Sequence, residues 1–178
     1  MQYRRTFIPG GSYFFTLVTE KRQNLFDDKN NVEILRQAFR KVKEKRPFEI
    51  DAIVIMPDHL HSIWTLPLDD ADYSTRWRLI KTWFSKHCST DVRVTTNKAR
   101  QNKNQQALWQ HRFWEHTLMN ETDFTRHVEY IHYNPVKHGY VRTPGEWRHS
   151  SFHRYVRAGI YPADWGAGNM DFENIGHE

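Results

Sequence analysis

The sequence predicts an α+β fold: four strands and two helices in the order β-α-β-β-α-β, followed by a further helix. Two observations carry this. Short runs rich in aromatic and β-branched residues alternate with segments whose apolar residues recur at helical spacing. Gly10-Gly11, Pro47 and Pro57 fall at junctions between them. A chain of 178 residues suits one well-filled core and is short for two domains.

Gly10-Gly11 ends an N-terminal leader, and residues 12–20 (SYFFTLVTE) read as the first strand. Asn30 or Asn31 caps a helix running to about Arg46, with Val32, Leu35, Ala38, Phe39 and Val42 on its inner face. Pro47 stops it. Residues 48–56 form a second, largely buried strand. Pro57-Asp58 makes a turn, and residues 59–66 return as the third. Ser74 caps a second helix to about Cys88, with Trp77, Ile80 and Phe84 facing inward. Residues 89–107 lack periodicity and read as a mobile loop. Residues 109–119 are the fourth strand, and 122–133 a third helix that Pro135 brings to its end at Asn134. This order is that of the split-βαβ, ferredoxin-like sandwich: an antiparallel sheet with helices on one face, and a C-terminal helix added. Its first and third strands are central.

Composition narrows the function. Cys88 is the only cysteine, which excludes an internal disulfide and a four-cysteine zinc site. No apolar run has the length of a signal peptide or a membrane span, so a soluble, reducing, cytoplasmic setting is expected, with no membrane partner. Between residues 76 and 112, nine Lys/Arg face Asp91 alone, a net of +8. Residues 158–178 carry four acids and no Lys or Arg, a net of −4, which leaves +9 on residues 1–157. A basic body attracts polyanions, phosphate backbones above all, although a solvated basic face would look the same. Phe 11, Tyr 8 and Trp 7 mostly fill the core and leave some rings to stack on bases. The chain divides into one domain, 1–157, and an acidic tail, 158–178.

The run Met56-Pro57-Asp58-His59-Leu60-His61-Ser62-Ile63-Trp64 is the most informative. In a strand, residues i and i+2 share a face, so His59 and His61 project together. Two adjacent imidazoles clamp a divalent ion, though an H-x-H pair alone is more often a structural or surface pair. Tyr130-Ile131-His132-Tyr133-Asn134-Pro135 supplies the rest. Tyr130 and Asn134, four apart, share a helical face. Two imidazole nitrogens and an amide oxygen make a three-ligand site with positions left open for a phosphate oxygen. Imidazole suits zinc, copper or nickel, whereas amide and phosphate oxygens suit Mg²⁺ or Mn²⁺. A phenol aimed at a phosphate there becomes a nucleophile that conserves the phosphodiester bond energy, which hydrolysis would not.

Five segments together resemble the REP-associated tyrosine transposases, within the single-tyrosine HUH nucleases (histidine, bulky apolar, histidine). These are Tyr3-Arg4-Arg5, residues 9–16 (PGGSYFFT), the Met56–Trp64 run, residues 109–116 (WQHRFWEH), and residues 130–140 (YIHYNPVKHGY). The resemblance implies a metal-dependent endonuclease and strand transferase specific for single-stranded DNA. Its substrates would be repetitive extragenic palindromes folded as hairpins, cleaved through a 5′-phosphotyrosine. It implies that His59 and His61 bind the metal, Mg²⁺ or Mn²⁺, with no small-molecule cofactor, and that Tyr130 is the nucleophile. Asn134 stands where related transposases often carry a glutamine ligand, one methylene longer.

Arg4, Arg5, Arg78, Lys81, Arg112, Lys137 and His138 are candidates to contact phosphates or bases. Glu115-His116 is a candidate proton-transfer pair, with strand packing as its ordinary role, and His149 and His153 resemble a second metal pair. His132, Tyr133 and Tyr140 are read as flanking the site. The acidic tail, with Trp165 and Phe172, is expected to fold over the basic cleft and compete with DNA, so that removing 158–178 tightens DNA binding or raises cleavage; a frayed terminus is the default alternative. A monomer is expected, with a dimer of paired sites as the alternative. The rival from another class is a non-catalytic ferredoxin-like module binding single-stranded nucleic acid.

Overall fold

A computed structural model describes residues 5–88 and 108–176. The expected loop at 89–107 and the candidate Arg4 lie outside them. Strands β1 (Ser12–Val18), β2 (Glu49–Ile55), β3 (His59–Thr65) and β4 (Trp114–Thr117) form one antiparallel sheet in the order β2-β3-β1-β4. Helices α1 (Lys29–Lys45) and α2 (Tyr73–His87) connect them. Helix α3 (Glu121–Lys137) and a short α4 (Phe152–Arg157) follow. This is the ferredoxin-like order, with β1 and β3 central as the sequence predicts.

The period of two along the strands builds two cores. Tyr13, Phe15, Leu17, Leu60 and Trp64 face α1 and α2, meeting Leu35, Phe39, Trp77 and Phe84. Phe14, Ala52, Val54 and Ile63 face the opposite way and meet Val128, Tyr130 and Ile131 of α3. The face opposite α1 and α2 is therefore covered by the helix that carries Tyr130. Trp64 stacks on Trp77 at 4.0 Å between ring centroids; truncating such a ring typically costs about 3–5 kcal/mol.

Several boundaries differ from expectation. The cap of α1 is Asp28, whose carboxylate accepts from the Asn30 amide, and that of α2 is Asp72, which accepts from Thr75. Arg76 is buried: it pairs with Asp70 at 2.7 Å and donates to the carbonyls of Arg46, Pro47 and Asp72. The fourth strand is only Trp114–Thr117, while Trp109 makes an isolated bridge with Thr19. Helix α3 does not stop at Asn134 but runs through Pro135 to Lys137. Tertiary packing overrides the local preference there: Asn134 is fully buried, and its carbonyl accepts from the His138 amide. No helix among the described residues is long and apolar enough to cross a membrane.

Candidate active site

β3 and α3 bring the predicted residues together. His59 and His61 share one face of β3, their ring centroids 5.0 Å apart at an interplanar angle of 76°. Each ring is held from behind. His59 Nδ1 donates to Asp58 Oδ1 at 2.6 Å, and Arg22 grips the other carboxylate oxygen at 3.0 Å. These partners, His59 first, hold the Asp58 carboxyl down at about 2. His61 Nδ1 shares a 2.8 Å hydrogen bond with Thr16 Oγ1, its direct cross-strand neighbour on β1. With Nδ1 of His59 engaged, its Nε2 is the atom that could meet a metal. His59 Nε2 is buried and has no hydrogen-bond partner among the described residues. A buried imidazole nitrogen without a partner, beside a second imidazole, fits a ligand position.

From α3, the Tyr130 ring reaches within 5.3 Å of the His61 ring, centroid to centroid. Asn134 lies one turn further on, fully buried. The Lys137 ammonium donates to the Tyr130 hydroxyl at 3.2 Å and lies 4.9 Å from the ring centroid. The His138 ring stands 5.3 Å from that of His59. The Tyr130 side chain is buried beneath the chain's last described residues. Phe172 meets its ring edge at 5.9 Å, Ile175 packs in the same cluster, and Gly176, at φ +79°, lies so close to the hydroxyl that no Cβ would fit.

Phe14 is the hub the sequence did not disclose. Its ring lies 5.4 Å from His61, 4.9 Å from His127 and 6.0 Å from Tyr130. Beyond it, His116, Asp123 and His127 form the group of three, among the described residues, whose ligand atoms all lie within 4.8 Å of one another. Sequence pattern likewise gives Thr16 no role at the site and reads Asp58 only as a turn residue. Asp58 adjoins the H-x-H motif, so a carboxylate next to a candidate ligand is the available signal.

Other candidates find different surroundings. Arg5 pairs with buried Glu115 at 3.6 Å and lies over the Phe113 ring at 4.4 Å, so its charge is already engaged. Lys81 donates to the Gln110 carbonyl. Arg78, Arg112, Lys137 and His138 are exposed. Glu115 and His116 do not act as a pair: Glu115 meets the Tyr73 hydroxyl, whereas His116 meets Asp123 on the other face of β4. His149 and His153 do not form one either, the first meeting Arg36 and the second the Trp147 carbonyl. His132 is pinned by Ser151 and Tyr161, and burial pushes its pKa down to about 3.

A ferredoxin-like sheet with paired histidines on its central strand and a tyrosine on a facing helix defines a class, and the comparisons agree. The model of the IS200-like transposase family matches residues 9–134, and the chain belongs to that family. Within it, the chain is 45% identical to the REP-associated tyrosine transposase of Escherichia coli (strain K12) over 172 residues, 96% of this chain and 94% of that one. It is 44% identical to a putative REP-associated tyrosine transposase of Haemophilus influenzae, covering 96% of both. A solved REP-associated tyrosine transposase bound to a REP hairpin superposes with a TM-score of 0.81 at 41% identity, covering 100% of this chain and 98% of that one. Membership among these tyrosine transposases, and the fold it implied, are as the sequence predicted.

Proposed function

We propose that this chain cuts and rejoins single-stranded DNA beside a hairpin of the repetitive extragenic palindromic kind, using Tyr130 as nucleophile. The observation that carries the reading is the approach of the Tyr130 ring to His61 across the β3–α3 interface. The hairpin partner is inferred from the solved relative, which is bound to one.

In the reaction, Tyr130 Oη attacks a backbone phosphorus. A bond forms between Oη and phosphorus, the bond to the 3′ oxygen breaks, and the phenol proton departs. The products are a 5′-phosphotyrosine and a DNA strand that takes up a proton as a free 3′-hydroxyl. Attack by another 3′-hydroxyl on the phosphotyrosine reverses these steps and joins strands. Lys137 supports the first step by setting a positive charge beside the oxygen that must lose its proton. His59, His61 and Asn134 would hold a Mg²⁺ or Mn²⁺ ion. When bound, such an ion neutralises charge growing on the phosphoryl oxygens. Asp58 and Thr16 hold both imidazoles by their Nδ1 atoms and would fix the rings for that role.

A phosphate reaches Oη only after Phe172–Gly176 moves aside, because those residues cover the hydroxyl. Both halves of the site come from one chain, which supports a monomer as the working unit. Arg78, Arg112 and His138 are exposed, where they can meet the DNA backbone.

Incubation with an end-labelled hairpin oligonucleotide and Mn²⁺ should give a denaturant-resistant protein–DNA adduct. Tyr130→Phe should abolish the adduct while binding persists. Cleavage retained in Tyr130→Phe would identify a water-using metallonuclease instead. Binding with neither cleavage nor adduct would identify a non-catalytic module.

A further inference from the structure

We propose that His116, Asp123 and His127 form a second divalent-cation site, of the zinc class, which clips β4 to the first turns of α3. His116 projects from β4, and Asp123 and His127 lie four apart on one face of α3, so the fold brings three donors from two elements to one point. Asp123 Oδ2 lies 2.9 Å from His116 Nε2, and Asp123 Oδ1 lies 3.1 Å from His127 Nδ1. Ligands around a tetrahedral ion with bonds of about 2.0–2.1 Å are separated by roughly 3.3 Å. The two imidazoles lie nearly parallel, 4.8 Å apart at 18°. The His116 side chain is 37% exposed, which leaves it room to close and leaves a fourth position for water.

Helix capping accounts for only part of this arrangement. Asn120 accepts from the Asp123 amide, and Asp123 accepts from the Met119 amide, a reciprocal cap that needs no histidine. Two imidazoles on one carboxylate exceed what the cap requires. Without metal, His127 Nδ1 donates to the Asp123 carbonyl at 2.8 Å. Binding exchanges that hydrogen bond for a metal bond, and the ring proton passes to Nε2. The Phe14 ring stands between this cluster and His61, so the two sites can be altered separately. His127 lies one turn before Tyr130, so an ion here would brace the helix that carries the nucleophile.

The test uses the full chain stripped of metal, with His59→Ala/His61→Ala removing the other pair. Zn²⁺ calorimetry should register one equivalent, and Co²⁺ should give the visible absorption of a four-coordinate site. In that background Asp123→Asn, which keeps an oxygen for the cap, and His116→Gln on the half-exposed strand should each weaken Zn²⁺ by roughly 100-fold or more. Two substitutions at differently buried positions guard against a variant that fails to fold. Failure of the double-alanine protein to bind Zn²⁺ overturns the proposal. So does Zn²⁺ binding that both substitutions leave unchanged. Neither result depends on adduct formation at Tyr130.

Discussion

Lys137 donates to the Tyr130 hydroxyl at 3.2 Å from two turns further along the same helix. The ammonium is the only part of that contact a neutral side chain of similar length would lack. Lys137→Met should therefore slow formation of the covalent adduct by about 100–1,000-fold, the scale of losing one group that stabilises developing negative charge on oxygen. Hairpin affinity should fall far less. Single-turnover kinetics with saturating DNA separates the two; an equal loss in both would make Lys137 a DNA contact only.

Asp58 carries a different burden. Its carboxylate takes the proton-bearing Nδ1 of His59 and is itself held by Arg22. Asp58→Ala frees the His59 ring to rotate and to change tautomer, and such outer partners typically contribute about 10–100-fold in metal affinity. Mn²⁺ titration followed by electron paramagnetic resonance should register that loss in the absence of DNA. Unchanged Mn²⁺ affinity would leave Asp58 as a turn residue.

The parts of this site that follow a local period were legible, and the parts that depend on distant chain were not. His59 and His61 fell on one face because strand geometry has a period of two, and Tyr130 and Asn134 because a helix repeats every 3.6 residues. The helix runs past its expected end because Pro135 acts locally, whereas the burial of Asn134 is a property of the whole β3–α3 interface. Arg5 read as a phosphate contact because its partner, Glu115, lies far away in sequence. The caps lie at Asp28 and Asp72, within two or three residues of the expected positions, as competing Asp, Asn and Ser side chains allow. Nothing local foretold that Gly176 would rest on Tyr130.

His132 makes stability depend on pH. Its burial keeps the folded imidazole neutral down to about 3, whereas in the unfolded chain it takes up a proton near the ordinary 6.5. Between those values the unfolded state binds the extra proton. Stability is therefore full above pH 6.5 and declines as pH falls toward 3, by about 1.4 kcal/mol per pH unit for this group. His132→Gln, able to hydrogen-bond Ser151 and Tyr161 but not to ionise, should flatten the decline in melting temperature between pH 6.5 and 4. A decline as steep as in the parent would assign it to other groups.

Gly176 lies against the Tyr130 hydroxyl, and its backbone sits at φ +79°, where side chains other than glycine are strained. Gly176→Ala adds a methyl both to that conformation and against the Tyr130 hydroxyl, so the terminal segment must lift. The segment is acidic, with Asp171 and Glu173 beside Phe172, so lifting it also removes negative charge from the approach of DNA. Adduct formation should rise severalfold, and hairpin binding should tighten. Removing residues 171–178 should do the same, whereas a cut at 158 would also take Tyr161, which bonds His132, and Trp165, which stacks on it at 4.4 Å. The shorter truncation is therefore the cleaner measurement. Equal adduct rates in the parent, Gly176→Ala and the 171–178 deletion would mean that the cover over Tyr130 opens faster than the chemistry and exerts no control.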